Sequence, residues 1–207
     1  MEAVGAVRGI RELEDEIRGC TRCPLHKART NAVPGEGPVP CDVMVVGEAP
    51  GRSEDLQGRP FVGAAGRLLN SLLAKAGYPR ERVYITNVVK CRPPGNRDPS
   101  REEIASCRGY LLEQVRLVRP RVIIAVGRIA GEALYREAGL KWPGIRQARA
   151  RPVKARIAGV EVTLIVTYHP AAALYNPELR GELERDFSTV IRRSLSGGGT
   201  RSLEEFM

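Results

Sequence analysis

The stretch DVMVVGEAPGRSEDLQGRPFVGAAGRLLNSLLAKAG, residues Asp42–Gly77, contains one complete strand–loop–helix unit. It begins with the apolar run Asp42–Gly47, whose β-branched residues predict a strand that is buried on both faces of a parallel sheet. A glycine-rich loop follows, and the segment Ala64–Gly77 then repeats leucine at helical spacing. A strand, a loop and a helix in this order are typical of an α/β domain.

The same alternation continues along the chain. Three further segments predict strands: Arg82–Lys90, Arg121–Gly127 and Val160–Pro170. Helical patterns lie at Ser100–Val118, Arg128–Gly139 and roughly Pro177–Ser194, while Pro152–Val162 fits a hairpin that leads into the last strand. Ser100 and Glu103 have the spacing of a helix capping box. We therefore expect a three-layer α/β/α sandwich with a central, mostly parallel four-stranded sheet.

Length and composition indicate one domain. A chain of 207 residues with 43% hydrophobic residues is long enough for one well-buried core and too short for two. We expect this domain over residues 1–194, including an N-terminal helix, and a flexible tail over residues 195–207. No apolar run reaches the roughly 18 residues of a membrane span, and the N-terminus lacks the apolar core of a signal peptide. A cytoplasmic protein, monomeric and without a membrane partner, is therefore expected.

The charge balance favours a polyanionic partner. The formal net charge is +9, and of the 33 basic residues only five are lysine. Arginine is the better residue for bidentate contacts to phosphate, so this composition suits nucleic acid. A GC-rich genome or a thermophile's surface ion pairs would also raise the arginine content, although ion pairs alone would leave no net charge.

The five cysteines suggest a metal site. Cys20 and Cys23 form a C-x2-C pair, and Cys91 and Cys107 follow as single residues, so four thiolates from distant segments could surround one metal centre. Cys41, at the start of the first strand, is most simply a small buried apolar residue. The spacing fits zinc and a [4Fe–4S] cluster equally well, and disulfides are a less favoured alternative.

Three polar residues lie at the ends of predicted strands. Glu48 follows the first strand, Asn87 lies in the second, and His169 ends the last. Sites in open α/β sheets form beyond the carboxyl ends of the strands, so these side chains are expected to meet in one cleft. Phe61, in the glycine-rich loop, is either a core residue or a ring on which a base stacks. The loop has neither the P-loop nor the dinucleotide-binding glycine pattern.

Three long motifs resemble the iron–sulfur uracil-DNA glycosylases called family 4. They are GEAPGRSEDLQGRPFVG at residues 47–63, YITNVVKCRPPGNRDP at 84–99 and HPAAAL at 169–174, and the four-cysteine layout accompanies them. The resemblance extends from Cys20 to the last helix. It implies the α/β/α fold and a monofunctional enzyme of base-excision repair. That enzyme hydrolyses the N-glycosidic bond of deoxyuridine in DNA, releases uracil and leaves an abasic site.

The resemblance also implies how the site works. The target base is flipped out of the duplex, Phe61 stacks on it, and the Asn87 amide serves the O4 acceptor and the N3 donor of uracil together. Cytosine presents an amine and a bare ring nitrogen there, so it fits the same amide poorly. His169 stabilises the charge that develops on uracil O2, with help from backbone amides near Glu48 and Ala49.

The carboxylate that orients the attacking water has two candidates. The better-known glycosylase family carries an aspartate in this first motif, at the position of Ala49 in this chain. We favour Glu48 for the role, with Glu54 of the same loop as the alternative. Gly47 and Ala49 are assigned to substrate binding together with Phe61 and Asn87.

By the same resemblance, Cys20, Cys23, Cys91 and Cys107 ligate a structural [4Fe–4S] cluster that anchors the N-terminal helix. Zinc is the less favoured alternative for these four cysteines, and Cys41 stays outside the set.

The C-terminal tip, TRSLEEFM, resembles a degenerate sliding-clamp-binding motif. Leu203, Phe206 and Met207 are its apolar residues, and Thr200 stands where such motifs usually have glutamine. We expect the tip to insert into a groove of a clamp as a helical turn.

Two other functions fit parts of the sequence. One is a non-catalytic, metal-bearing nucleic-acid-binding module. The other is an iron–sulfur electron carrier, which the basic charge and the lack of a flavin or second-cluster signature disfavour.

Overall fold

The computed structural model describes residues 9–196. Its centre is a five-stranded sheet in the order β2-β1-β3-β5-β4. The strands are β1 Val43–Gly47, β2 Tyr84–Asn87, β3 Val122–Val126, β4 Val153–Ile157 and β5 Val160–Thr167. Strands β2, β1, β3 and β5 are parallel, and β4 pairs antiparallel with β5 at the sheet edge.

The predicted count of four strands is therefore wrong by one. The additional strand, β4, comes from the segment that was predicted as a hairpin, and it turns into β5 through Ala158 and Gly159, both with positive φ. Its side chains alternate between exposed and buried positions after the first residue, as expected for an edge strand with one solvated face. The buried strands β1 and β3 lack that alternation, which made them easier to identify.

Nine α-helices surround the sheet in the described part of the chain. They are α1 Ile10–Gly19, α2 Arg52–Gln57, α3 Ala64–Lys75, α4 Arg101–Val118, α5 Arg128–Glu137, α6 Ile145–Ala148, α7 Pro170–Ala173, α8 Pro177–Asp186 and α9 Arg192–Ser196. A π-helical turn, Phe187–Ile191, joins α8 to α9. The capping box is confirmed: Ser100 Oγ accepts from the Glu103 backbone N–H, and the Ser100 N–H donates to Glu103 Oε2 at 2.7 Å.

The sheet separates two apolar cores, which confirms the three-layer α/β/α architecture. Alternate residues of β1 enter opposite layers: Met44 and Val46 pack with α1, α4 and α5, while Val43 and Val45 pack with α3, α8 and α9. Every residue of β1 is buried, so the parallel strands are covered on both faces.

In residues 9–196, no helix is long and apolar enough to cross a membrane. Leu203, Phe206 and Met207 lie outside the described residues. The single-domain boundary, the monomeric state and the cytoplasmic location stay predictions.

Candidate active site

A cavity of about 420 Å³ opens at the carboxyl ends of β1, β2 and β5, and we call it the strand-end pocket. Six of the predicted site residues line it: Glu48, Ala49, Glu54, Phe61, Asn87 and His169. The site thus lies where parallel α/β sheets place their ligands. The seventh predicted residue, Gly47, lies beneath the pocket wall.

Gly47 creates the space in which two side chains of the pocket meet. A Cβ atom at this position would lie 2.3 Å from Asn87 Oδ1 and 2.6 Å from Phe61 Cζ. Both distances are far below a normal contact, so only glycine lets the amide and the ring approach the end of β1. The predicted contribution of Gly47 to binding is therefore one of shape.

Asn87 is the last residue of β2, and its side chain is almost completely buried at 1% exposure. Its Oδ1 atom has no hydrogen-bond partner among residues 9–196. A buried acceptor without a partner costs about 1–3 kcal/mol, so such atoms are rare in folded proteins. This one lies at a cavity, where a ligand could supply the missing donor.

Phe61 forms a flat wall of the pocket. Its ring lies 5.8 Å from that of His169, centroid to centroid, with 31° between the two planes. The residue has a φ of +51°, which is uncommon for a non-glycine residue, and Arg80 holds the strained loop. The Arg80 guanidinium donates to the carbonyls of Pro60 at 2.6 Å and Phe61 at 3.1 Å.

His169 forms the N-cap of α7, and this contact decides where its proton lies. The ring Nδ1 accepts a hydrogen bond from the Ala171 backbone N–H at 3.1 Å. The neutral imidazole must therefore carry its proton on Nε2, which makes that atom the donor. Burial lowers the pKa of His169 to about 4, although the charge of Glu54 opposes the shift, so the ring is neutral near pH 7.

The two candidate carboxylates have different surroundings. Burial and the charge of Asp98 raise the pKa of Glu48, and Arg128 partly opposes the increase. Glu54 instead accepts two backbone hydrogen bonds through Oε1, from Val62 at 2.9 Å and from Gly63 at 2.8 Å. Glu54 thus ties the end of the Gly-rich loop to α2.

The loop after β2 supplies pocket residues to which the sequence motif at residues 84–99 assigned no individual role. Pro93, Asn96 and Arg97 line the pocket. Arg97 is held by a bidentate contact to Glu103 at 2.7 and 2.8 Å. They belong to the motif at residues 84–99, but the spacing of the motif does not show which of its side chains face the pocket.

A second cavity lies at the C-terminal end of α1, and we call it the cysteine cavity. Its lining includes the four predicted metal ligands, Cys20, Cys23, Cys91 and Cys107. Cys41 lies elsewhere, with its thiol directed at the carbonyls of Val43 and Arg82. The structure therefore brings together the four cysteines that were predicted to converge and separates the fifth.

The sulfur atoms of the cysteine cavity already receive hydrogen bonds. The Arg29 guanidinium donates to Cys91 Sγ at 2.9 Å, and the Lys90 backbone N–H donates to Cys107 Sγ at 3.3 Å. Burial raises the pKa of the free Cys107 thiol to about 11. Within the described chain, no set of three or more cysteine, histidine or acidic side chains forms a group that could hold one metal ion.

Tyr84, Thr86, Lys90 and Gln114 form a buried polar cluster, which we call the Lys90 network, and Lys90 also lines the cysteine cavity. Lys90 Nζ donates to Thr86 Oγ1 at 2.7 Å, to the Asn87 carbonyl at 2.6 Å and to Gln114 Oε1 at 2.6 Å. Gln114 Nε2 donates to the Pro34 carbonyl and to the Tyr84 hydroxyl oxygen.

The fold and the strand-end pocket define an α/β/α protein whose site suits a planar, polar heterocycle. A ring wall, an open amide and a neutral imidazole donor are the groups that recognise such a ligand.

Comparison with known proteins identifies the family. The family model of the uracil DNA glycosylase superfamily matches residues 34–192. A type-4 uracil-DNA glycosylase of Pyrobaculum aerophilum is 51% identical over 92% of this chain and 94% of its own length. The type-4 enzyme of Archaeoglobus fulgidus is 49% identical over 84% and 88%, and a type-5 enzyme of Pyrobaculum aerophilum is 33% identical over 81% and 76%. The chain belongs to the type-4 uracil-DNA glycosylases.

Proposed function

We propose that this protein excises uracil from DNA by hydrolysing the N-glycosidic bond of deoxyuridine, leaving an abasic site for base-excision repair. The observation that carries the proposal is the buried, unpartnered Oδ1 of Asn87 at the end of β2. It lies in a pocket that also offers an aromatic wall and a neutral imidazole. The family membership and the net charge of +9 support a DNA substrate.

Asn87 would read the edge of the base. Uracil N3–H donates to the open Oδ1, and the amide nitrogen donates to uracil O4, so both groups of the side chain become satisfied. Cytosine has an acceptor at N3 and a donor at N4, so it would leave the amide mismatched on both sides. A buried site that hydrogen-bonds its substrate rejects an analogue with the wrong polar groups strongly.

Phe61 and the depth of the pocket require the base to leave the duplex. The target atom cannot be reached in a stacked helix, so the deoxyuridine is rotated out and its ring stacks on Phe61. Gly47 permits this close arrangement, and the Ala49 backbone lies at the same strand end. Contacts from arginine to phosphate on both sides of the flipped nucleotide would make binding fall steeply with salt.

His169 would stabilise the leaving group. When the bond between C1′ and N1 breaks, its electron pair goes to uracil, and negative charge accumulates on O2. The His169 Nε2–H, whose position is set by the Nδ1 contact to Ala171, donates to that oxygen. The neutral ring is a preorganised donor, so it needs no proton transfer at the moment of cleavage.

Glu48 would act on the sugar side. The deoxyribose ring becomes oxocarbenium-like, and a carboxylate nearby both stabilises that positive charge and orients the water that attacks C1′. Glu48 suits the role better than Glu54, because Oε1 of Glu54 already accepts from the backbone of Val62 and Gly63. Glu54 then supports the loop, as a positioning residue.

Cys20, Cys23, Cys91 and Cys107 would hold a [4Fe–4S] cluster in the cysteine cavity. All four side chains line one cavity, and three of the sulfurs, those of Cys20, Cys91 and Cys107, accept hydrogen bonds of the kind that stabilise ligating thiolates. The resemblance of the sequence motifs to the iron–sulfur uracil-DNA glycosylases favours a cluster over zinc. Such a cluster would serve as a structural cross-link between the segment after α1, the loop after β2 and α4.

The C-terminal tip is proposed to bind a sliding clamp through Leu203, Phe206 and Met207. Deleting residues 203–207 should abolish capture of the protein by an immobilised clamp while excision on short oligonucleotides stays unchanged. Capture that survives the deletion would refute this role.

A product assay separates the glycosylase from a non-catalytic DNA-binding module. The purified protein is mixed in excess with oligonucleotides that carry uracil, thymine or cytosine at one position, and released base and alkali-sensitive sites are measured. Free uracil and strand breaks in the uracil substrate alone are expected. A protein that binds DNA in a salt-dependent manner but releases no base would be the non-catalytic module.

A further inference from the structure

The Lys90 side chain is the most deeply buried cation of the described chain, with 1% exposure. Its ammonium group donates to Thr86 Oγ1, the Asn87 carbonyl and Gln114 Oε1, at 2.6–2.7 Å. An ammonium has three donor protons, so all are used. All three acceptors are neutral, and the hydrogen bonds therefore do not compensate the charge.

A buried charge needs a counter-charge, since desolvation of an isolated ion is very costly. No aspartate or glutamate of residues 9–196 forms a salt bridge with Lys90, and the ionisable side chains beside it are the thiols of Cys91 and Cys107. Lys90 also lines the cysteine cavity beside them. The negative charge that balances this lysine must therefore come from that cavity.

We propose that Lys90 is the counter-ion of the thiolate-bound cluster and that the same ammonium holds Asn87 in position to read the base. The inference rests on the proposed cluster and extends it toward the site. Four thiolates give the cluster a net negative charge, and Lys90 supplies a buried positive charge next to it.

The connection runs through a few bonds. The Lys90 backbone N–H donates to Cys107 Sγ at 3.3 Å, and its Nζ reaches back to the carbonyl of Asn87. Asn87 Oδ1 has no internal partner among residues 9–196. The Lys90 contact to the Asn87 carbonyl, together with the pairing of Asn87 with Gly47, fixes the backbone from which this amide projects. Lys90 is thus a positioning residue for Asn87.

The test compares the cluster-loaded wild type with Lys90→Met, which keeps the length and removes the charge. Two controls are matched to it. Thr86→Val alters the same network but keeps the ammonium, and Lys75→Met removes an exposed lysine at the end of α3. Loss of the cluster's visible absorbance in ferricyanide, an oxidant, is followed in all four proteins, together with single-turnover excision and affinity for abasic-site DNA.

Without its counter-ion the cluster is more easily oxidised, so Lys90→Met should lose it about 10-fold faster or more, a typical effect of removing a group that supports metal ligands. Its excision rate should fall while its affinity for abasic-site DNA stays at the wild-type value. Both controls should lose the cluster at the wild-type rate. If Lys90→Met does not fold, Lys90→Gln takes its place, with the same expected faster loss.

Equal rates of cluster loss in wild type and the Lys90 variant would overturn the proposal, and so would faster loss in Thr86→Val. Iron and sulfide analysis of the wild type comes first, because their absence would refute the cluster itself. Wild-type protein that contains a cluster but excises no uracil would contradict the proposed function, while the oxidation rates would still decide the role of Lys90.

Discussion

Thr86 and Asn87 are neighbours on β2 and are both inaccessible to solvent, yet their side chains differ in whether they find internal hydrogen-bond partners. The Thr86 hydroxyl donates to the Pro34 carbonyl at 2.7 Å and accepts from Lys90 Nζ. Asn87 Oδ1 has no partner anywhere in residues 9–196. Because successive residues of a strand face opposite sides, Thr86 joins the closed Lys90 network and Asn87 borders the strand-end pocket.

This difference separates groups that stabilise the fold from groups that await a ligand. A satisfied buried network adds to stability, while an open acceptor reduces it until a donor arrives. Selection for stability alone would give Asn87 a partner or replace it with an apolar residue. The open amide is therefore best explained by a ligand with an N–H group, as uracil has.

The largest expected effect follows substitution of Asn87, whose side chain borders the strand-end pocket. Asn87→Ala should lower the single-turnover excision rate on the order of 10²-fold or more, because the donor and acceptor for the base disappear together. The free energy of unfolding should change little, since the loss of packing is offset by the removal of a buried oxygen that has no internal partner. Wild-type excision by this variant would contradict the assigned role.

His169→Ala should lose on the order of 10²-fold in the same assay, the usual cost of one donor to a developing oxyanion. Since the pKa of His169 is about 4, the ring is almost entirely neutral near pH 7, and no loss of wild-type activity there should come from its titration. His169→Gln, which retains an N–H donor, is the matched control and should recover part of the rate. Equal rates for the alanine and glutamine variants would argue against a donor role.

The cysteine cavity gives the next comparison. Cys107→Ala should reduce the iron and sulfide content about 10-fold or more and lower the unfolding temperature, because one of the four proposed ligands is missing. Cys41→Ala also removes a buried thiol, but one that lies outside the cavity, so the metal content should not change. Equal metal loss in both variants would refute the assignment of four ligands.

On the closed side of the strand, Thr86→Val should lower the free energy of unfolding by about 1–3 kcal/mol, because Pro34 and Lys90 each lose a partner. Denaturant titration measures this loss. Excision should remain close to the wild-type rate, the reverse of the result for Asn87→Ala. If the Thr86→Val protein were as stable as the wild type but inactive, Thr86 would serve the site and not the fold. The proposed difference between the two faces of β2 would then be wrong.

The smallest expected effect concerns Glu48. Burial and Asp98 raise its pKa, and the ionised form is the one that orients water, so activity should fall as the pH drops through that raised pKa. Asp98→Asn removes one cause of the shift, so the pKa should decrease and the acidic limb of the pH–rate profile should move to lower pH. If the acidic limb does not move, the pKa that it reports belongs to a group other than Glu48.

The sequence predicted those features of the molecule that depend on residues close together along the chain. Continuous β-branched runs identified β1 and β3, and residues at strand ends identified Glu48, Asn87 and His169, because parallel strands bring their carboxyl ends to one edge. The edge strand β4 was not counted as a strand of the sheet, because its alternating pattern is also expected for a solvent-exposed hairpin arm outside the sheet. The roles of the site residues stay predictions.

Other features could not be predicted, because they depend on tertiary contacts. Lysine usually lies at the protein surface, and only the folded chain shows that Thr86 and Gln114 enclose the Lys90 ammonium. The missing partner of Asn87 is also a property of the packed structure. No pattern of residues records which buried oxygen is left without a donor.

The most direct test of the account observes the Asn87 amide itself. In the ¹⁵N-edited spectrum of the wild-type protein, its side-chain signals are identified by their absence in Asn87→Ala, and free uracil or cytosine is then added. The account predicts that uracil shifts these signals as Oδ1 gains its donor, and that cytosine does not. Unchanged signals with saturating uracil, or equal shifts with both bases, would contradict the central claim that this open amide reads the base.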